Sequence, residues 1–286
     1  MDQATLASIP ATVRHALTED VGSGDLTAAL IPAGRSGRAE LITREDAVIC
    51  GQAWAEEVYR QVDPAVRLEW TCAEGAPLAS GATLCRLHGP ARALLTGERT
   101  AMNFLQTLSG TATSAAHHVE VVAGTSAVIL DTRKTLPGLR LAQKYAVRCG
   151  GARNHRSGLY DAILIKENHI IAAGSITAAV QAAQALQADV PIEVEVEDLA
   201  GVDEAFGAGA RALLLDNFTL EMLHEAVALR NRQAPDARLE ASGGVSLDTL
   251  RAIAETGVDY ISVGGITKHL QAIDLSMRFN FAEDSA

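Results

Sequence analysis

From residue 125 onward the chain alternates short apolar runs with helical segments, at a spacing that few folds accept. The runs are AVILDTRK, AILIKENH, PIEVEVEDL, ALLLDNF, ARLEASGGV and DYISVGGI, separated by segments such as GSITAAVQAAQALQ, LAGVDEAFGAG, TLEMLHEAVALRNR and SLDTLRAIAETG. With Asp131, Lys166, Glu195, Asp216, Ser242 and Gly264 as strand-end markers, the gaps are 35, 29, 21, 26 and 22 residues. Each gap has the length of one βα unit. Runs that are apolar throughout predict parallel strands covered on both faces. Six units fall short of the eight in a closed barrel, which leaves an incomplete barrel or an open sheet.

The first part of the chain has a different texture. Leu6, Ile9, Val13 and Leu17 predict an amphipathic helix over 4–17, and EDVGSGDLT at 19–27 reads as a tight loop. Short strands follow at GRAELITRE, DAVICG, VRLEWTCAEG and ATLCRLHGP, interrupted by one helix, QAWAEEVYRQVD. Without regular βα alternation this predicts a small α+β domain. A long Ala/Leu-rich helix comes next, ARALLTGERTAMNFLQTLSGTATSAAHHVEVV. On it Arg99 shares a stripe with Leu95, Met102 and Gln106, either snorkelling at the core edge or aimed into a neighbouring site. The closing HLQAIDLSMRFNF reads as helical or extended, returning to the first domain.

Charge singles out one window. Residues 131–169 hold eight Lys/Arg against three acids, in a chain whose net charge is −11. Clustered cations repel one another, so the window needs an anionic counterpart. Arg140, Lys144 and Arg148, at four-residue spacing, read as a solvated helix face. Arg133, Lys134 and Lys166 do not, because each follows directly on an apolar strand, where α/β folds gather their ligands. The acidic balance argues against nucleic acid or membrane surfaces as partners. Cys50, Cys72, Cys85 and Cys149 have no CxxC spacing and read as reduced thiols. No secretory signal or membrane span is evident, and a soluble, cytoplasmic protein is expected.

At the strand ends the residue types are complementary. Glu193, Glu195 and Glu197 share one strand face, and at least the last should approach the mouth. Glu195 with Asp216 makes a pair for a divalent metal such as Mg²⁺ on a diphosphate, or else both acids pair with the rim cations. Ser242-Gly243-Gly244 and Val263-Gly264-Gly265 let the backbone approach a phosphate. His155, between Asn154 and Arg156, is a donor or acid/base candidate. His117, His118 and His169 read as structural, and Lys268 stands near a phosphate loop without further support. The inventory fits a reaction between an organic anion and a phosphorylated sugar.

EDVGSGDLT, GERTAMNFLQTLSGTAT, DTRKTLPGLR, QKYAVRCGGARNHRSGLYDAILIKENH, EVEVEDL, LLLDNF, EASGGV and ISVGG stand in one order and spacing. In these motifs the chain resembles the quinolinate phosphoribosyltransferase family over nearly its whole length. The resemblance implies an N-terminal α/β sandwich (1–112, with the tail 270–286 packing back on it) and a C-terminal incomplete parallel α/β barrel (113–269). It implies a homodimer that converts quinolinate and phosphoribosyl pyrophosphate to nicotinate mononucleotide, diphosphate and CO₂. Arg133, His155, Arg156 and Lys166 would then bind the quinolinate carboxylates, with Thr132 in the substrate-binding set. Lys134 would lie between quinolinate and the sugar donor. Glu195 and Asp216 would hold the ribose hydroxyls and the Mg²⁺–diphosphate side, and Ser242–Gly244 and Val263–Gly265 the 5-phosphate. Arg99 would reach the partner subunit's site. Two positions depart from the pattern: Ala152 replaces a further glycine, and VGGITKHL leaves the roles of Lys268 and His269 open.

Three other readings are weighed against this one. A molybdenum-transport-linked paralogue shares the fold, but the carboxylate-binding set Arg133, His155, Arg156 and Lys166 favours the quinolinate enzyme. A barrel aldolase or decarboxylase would use Lys166 as a Schiff base, and a binding module would hold the anion without turnover.

Overall fold

The computed structural model describes residues 1–281. In chain order its first elements are α1 (Gln3–Val21), β1 (Ser36–Thr43), β2 (Ala47–Val48), α2 (Gln52–Val62), β3 (Arg67–Trp70), β4 (Pro77–Leu78), β5 (Thr83–Pro90) and α3 (Ala91–Val121). Then come β6 (Val128–Leu130), α4 (Arg140–Cys149), β7 (Ile163–Ile165), α5 (Glu167–Ala173), α6 (Ile176–Ala185), β8 (Ile192–Val196) and α7 (Leu199–Gly207). The last are β9 (Ala212–Asp216), α8 (Leu220–Gln233), β10 (Arg238–Ser242), α9 (Leu247–Glu255), β11 (Tyr260–Ser262), α10 (Gly265–Lys268) and β12 (Leu275–Phe281).

The chain divides into two compact units: Met1–Ala116, Thr135–Gly151 and the tail from His269; and His117–Lys134 with Ala152–Lys268. The first is an α/β sandwich. Its antiparallel sheet runs β12-β1-β5-β3. Along β1, Gly37, Ala39 and Leu41 alternate with outward Arg38 and Glu40, the period-two pattern of a sheet with one wet face. The covered face packs on α2 and α3 around Trp54, Tyr59, Leu84, Leu94, Leu105 and Leu108. β12 pairs antiparallel with β1 from Leu275 to Phe281, so the closing segment is extended; 282–286 lie outside the described residues.

Two segments, 113–116 and 135–151, differ from the expected 1–112/113–269 division. Residues 135–151 belong to the first unit, because α4 buries Ala142 and Ala146 in that unit's core. At the end of α4, Gly150 comes so close to α3 that a methyl group there would overlap the Ala112 carbonyl oxygen. Burial also corrects the reading of a solvated basic face. Lys144 is only 2% exposed, while Arg148 reaches outward to the Asp2 carboxylate at 2.7 Å, the N-cap of α1. Charge spacing marks a helix face; it does not say what covers it.

The second unit is the incomplete parallel barrel. Its sheet order is β6-β11-β10-β9-β8-β7, with every ladder parallel. Between the edge strands, one bridge joins Leu130 of β6 to Arg153. β9 is buried along Leu213–Leu215, as its unbroken apolar run requires. The intervening helices start on side-chain caps: Ser175 accepts Ala178 N–H, Asp198 accepts Gly201 N–H and Thr219 accepts Met222 N–H. These caps fix where each helix starts, and so the loops that follow the strands. Among the described residues no helix is long and apolar enough to cross a membrane.

Candidate active site

The carboxyl ends of the parallel strands carry most of the expected residues. Asp131 follows β6 and Lys166 follows β7; Asp216 ends β9 and Ser242 ends β10, paired in register with Asp216. The side chain of Asp131, fully buried, pins the loop that supplies His155 and Arg156. Its Oδ1 accepts the His155 N–H at 2.9 Å and its Oδ2 the Asn154 amide at 2.7 Å. Two backbone bonds continue the zip, Arg153 N–H to Ile129 O at 2.9 Å and Asp131 N–H to Arg153 O at 3.1 Å. Only the residue types of this loop were legible in the sequence; its docking onto the edge of β6 was not.

Arg156 is thereby set beside Arg133. Burial lowers its pKa from the ordinary value, and the neighbouring Arg133 guanidinium lowers it further, against Asp161, Glu193 and Glu195. Two like charges held together in a half-buried site favour a ligand that brings negative charge. Lys166 pairs with Glu195 through its Nζ. With the lysine side chain 47% exposed, that pair is worth about 1 kcal/mol or less, so a ligand can displace it at small cost. The His169 ring accepts the Lys166 backbone N–H at 2.9 Å, a capping role in keeping with the structural reading.

His155 is held from both sides of its ring. Its Nδ1 accepts the Arg156 N–H at 2.7 Å, and its Nε2 faces Glu193 at 2.9 Å and Glu240 at 3.5 Å. Both ring nitrogens are thus engaged within the protein. His155 thereby orients the Arg156 backbone. Beneath it Glu240, from the middle of β10, is 3% exposed. Burial first and the Glu193 charge second push its carboxyl up to about 7, against the opposing influence of His155 and Ser262. Its only signal in the sequence was a lone carboxylate inside the apolar run RLEAS. Glu193 and Glu195 are partly buried and Glu197 is exposed beyond the strand, as the alternation required.

The other acids and the glycine turns complete the rim. Glu195 stands opposite Leu214, which leaves Asp216 two residues farther along its strand. Asp216 accepts the Asn217 amide at 2.9 Å through Oδ2. Elsewhere in this unit His155, Glu193 and Glu240 bring three ligand atoms within 4.8 Å of one another. Gly243 and Gly244 have φ of 91° and 59°, and a methyl at Gly243 would overlap the side chain of Asn217, itself at φ 57°. The aliphatic part of Lys134 lies against Gly264, near Thr132 Oγ1, and its carbonyl accepts the Thr267 hydroxyl at 2.8 Å. Gly265 opens the short α10 that ends at Lys268. Arg99 is exposed on α3 of the first unit and is not among the residues this unit brings together.

Comparisons with known proteins agree with one another. Residues 25–109 match the N-terminal domain of the family described as quinolinate phosphoribosyl transferase, and residues 111–278 its C-terminal domain. The chain is 43% identical over 270 residues to a carboxylating nicotinate-nucleotide pyrophosphorylase of Mycobacterium leprae, covering 93% of this chain and 95% of that one. A probable enzyme of the same name from Bacillus subtilis is 40% identical over 274 residues, covering 96% and 94%. The solved nicotinate-nucleotide pyrophosphorylase of Francisella tularensis superposes with a TM-score of 0.91 at 44% identity, covering 96% of this chain and 97% of that one.

Proposed function

The chain belongs to the quinolinate phosphoribosyl transferase family, and on that premise we propose how its rim residues carry the family's reaction. It is a phosphoribosyltransferase of NAD biosynthesis: quinolinate and phosphoribosyl pyrophosphate give nicotinate mononucleotide, diphosphate and CO₂. The observation that carries the site assignment is the placing of Arg133 beside Arg156, with Lys166 at the end of the other edge strand, β7. Quinolinate carries two adjacent carboxylates, and their charge relieves this repulsion.

In the first step the pyridine nitrogen takes the ribose C1, and the bond from C1 to the diphosphate oxygen breaks. Positive charge develops on the ribose carbon, where Glu195 and Asp216 stabilise it. In the second step the carboxylate next to the ribosylated nitrogen leaves as CO₂. Its electron pair stays on the ring carbon beside the cationic nitrogen until a proton arrives there. The electron sink is the substrate itself, so the protein's part is orientation. Arg133 and Arg156 hold the carboxylates, Lys166 exchanges Glu195 for substrate, and Lys134 lies between acceptor and donor with Thr132 beside it. Ser242–Gly244 and Val263–Gly265 offer backbone N–H groups to the 5-phosphate.

Mg²⁺ enters with the diphosphate and would supply charge neutralisation to the leaving group. Glu195 and Asp216 fit it as hard oxygen donors, Asp216 keeping Oδ1 for a ligand while Oδ2 holds Asn217. The working form is a homodimer, with Arg99 serving the partner subunit's site. Four free cysteines suit the reducing cytoplasm.

Purified protein with phosphoribosyl pyrophosphate, Mg²⁺ and either quinolinate or nicotinate tests the assignment. Nicotinate mononucleotide and CO₂ form from quinolinate alone. Absence of product from folded protein would overturn it.

A further inference from the structure

We propose that Cys50 and Cys149 form an oxidisable dithiol, in which a peroxide oxidises Cys149 and Cys50 closes an intramolecular disulfide. Ninety-nine residues apart in sequence, the two meet in the first unit, where their sulfurs lie within 4.8 Å of each other. A disulfide needs about 2.05 Å between sulfurs, so at most roughly 2.8 Å must be closed. Turning χ1 between staggered wells moves a cysteine sulfur by roughly 3 Å, so closure needs a side-chain rotation and little from the backbone.

The surroundings give the two sulfurs different parts. Cys149 ends α4 and is partly exposed. The Cys50 thiol and the Tyr145 hydroxyl donate toward its sulfur, and the Arg148 charge stands nearby. Burial and the Glu74 charge oppose a thiolate there, but the donors at the sulfur outweigh them and the thiol is lowered. Cys50, Cys72 and Cys85 are all raised, each first by burial. Cys50 is wholly buried, and its backbone is clamped to α3, its N–H donating to Ser109 Oγ at 2.8 Å and its carbonyl accepting that hydroxyl at 3.1 Å. It is the partner that waits, not the one that meets the oxidant.

Glu74 lies within the same group, which raises the alternative of a metal site. Both of its oxygens are already used, Oε1 by Gly51 N–H at 2.8 Å and Oε2 by Gln52 N–H at 3.1 Å, capping α2. A metal there would compete with that cap for the same carboxylate, whereas the two thiols need only each other to oxidise.

The steps balance. The Cys149 thiolate attacks one peroxide oxygen, the O–O bond breaks, and hydroxide leaves a sulfenic acid. The Cys50 sulfur then attacks the Cys149 sulfur, its proton goes to the departing hydroxide as water, and the S–S bond forms. Two electrons pass from the thiol pair to the peroxide.

The test is differential alkylation of the folded wild-type protein before and after graded hydrogen peroxide, read by peptide mass spectrometry. Cys149 should alkylate faster than Cys50, Cys72 or Cys85. Peroxide should yield a crosslinked peptide pair holding Cys50 and Cys149, lighter by two hydrogens and restored by dithiothreitol. In Cys50→Ser, peroxide should leave Cys149 as a sulfenic acid that dimedone traps, while Cys72→Ser should crosslink as wild type. Cys149 alkylating no faster than Cys72, a crosslink to Cys72 or between chains, or Cys149 running on to the sulfonic acid with Cys50 still a thiol would each overturn the proposal. The wild-type readouts stand even if Cys50→Ser does not fold.

Discussion

Replacing Glu240 by Gln tests whether the carboxyl beneath the rim is held protonated. Unfolded, Glu240 releases its proton near 4.5; in the fold, burial and the Glu193 charge raise that to about 7. Between those values the folded state carries the extra proton, so stability falls as pH rises through the window and the loss is complete above it. With one pH unit worth about 1.4 kcal/mol, the interval from 4.5 to about 7 costs the fold about 3 kcal/mol at about pH 8.5 but under 1 kcal/mol at about pH 5. Gln keeps the shape and stays neutral at both. Between about pH 5 and about pH 8.5, the stability difference between variant and wild type should therefore move by about 2.5 kcal/mol in favour of the variant. Titrating groups that do not act on Glu240 are common to both proteins and cancel.

The assay is urea unfolding followed by far-UV circular dichroism, because both tryptophans, Trp54 and Trp70, lie in the first unit and do not report on β10. Amide exchange in Leu239–Ala241 supplies the local counterpart. Stability curves that run parallel, within about 0.5 kcal/mol across the range, would refute the reasoning.

His155→Ala removes the acceptor of the Arg156 N–H, and the KM for quinolinate should rise about tenfold with kcat less affected, read from steady-state kinetics. Arg133→Ala or Lys166→Ala should lower kcat/KM for quinolinate about a hundredfold or more, with unchanged circular dichroism. Gly243→Ala forces a side chain onto a φ of 91° and against Asn217, so a stability loss of about 1–3 kcal/mol should accompany a raised KM for phosphoribosyl pyrophosphate. Asp259 binds Arg230 and Arg238, each at 2.8 Å, and accepts the Leu239 N–H at 2.9 Å. Asp259→Ala should cost about 3 kcal/mol in denaturant unfolding while the folded fraction keeps its kcat.

The residues that sequence reading placed well are those whose position follows from periodicity. Lys166, Asp216 and Ser242 stand at strand ends because an apolar run followed by a capped helix leaves one place for the loop. Glu193, Glu195 and Glu197 share a face because side chains alternate along β8, and Glu197 is exposed because it lies beyond the strand end at Val196. Missed features depend on which layer covers a segment, and periodicity does not carry that. Lys144 has the spacing of a solvated face and the burial of a core residue. Residues 135–151 follow a barrel strand in sequence yet pack in the first unit's core. Cys50 and Cys149 meet across ninety-nine residues, a long-range contact that spacing motifs miss.

The interior of the barrel bears on the charge of its mouth. Asp131, Glu193 and Glu240 all lie beneath Arg133 and Arg156, close enough for the first two to act on the third. Were every one of these acids ionised, they would neutralise the rim from below and compete with the substrate's carboxylates. A protonated Glu240 withholds part of that compensation, so the guanidiniums keep an excess of positive charge for a dianion. Raising pH through about 7 ionises Glu240 and erodes that excess. Stability and quinolinate affinity should therefore fall together over the same window in the wild type, and both curves should flatten in Glu240→Gln. A flattened stability curve with an unaltered pH profile for quinolinate KM would separate the two. The buried proton would then matter to the fold, and the anion site would draw its charge balance from the rim alone.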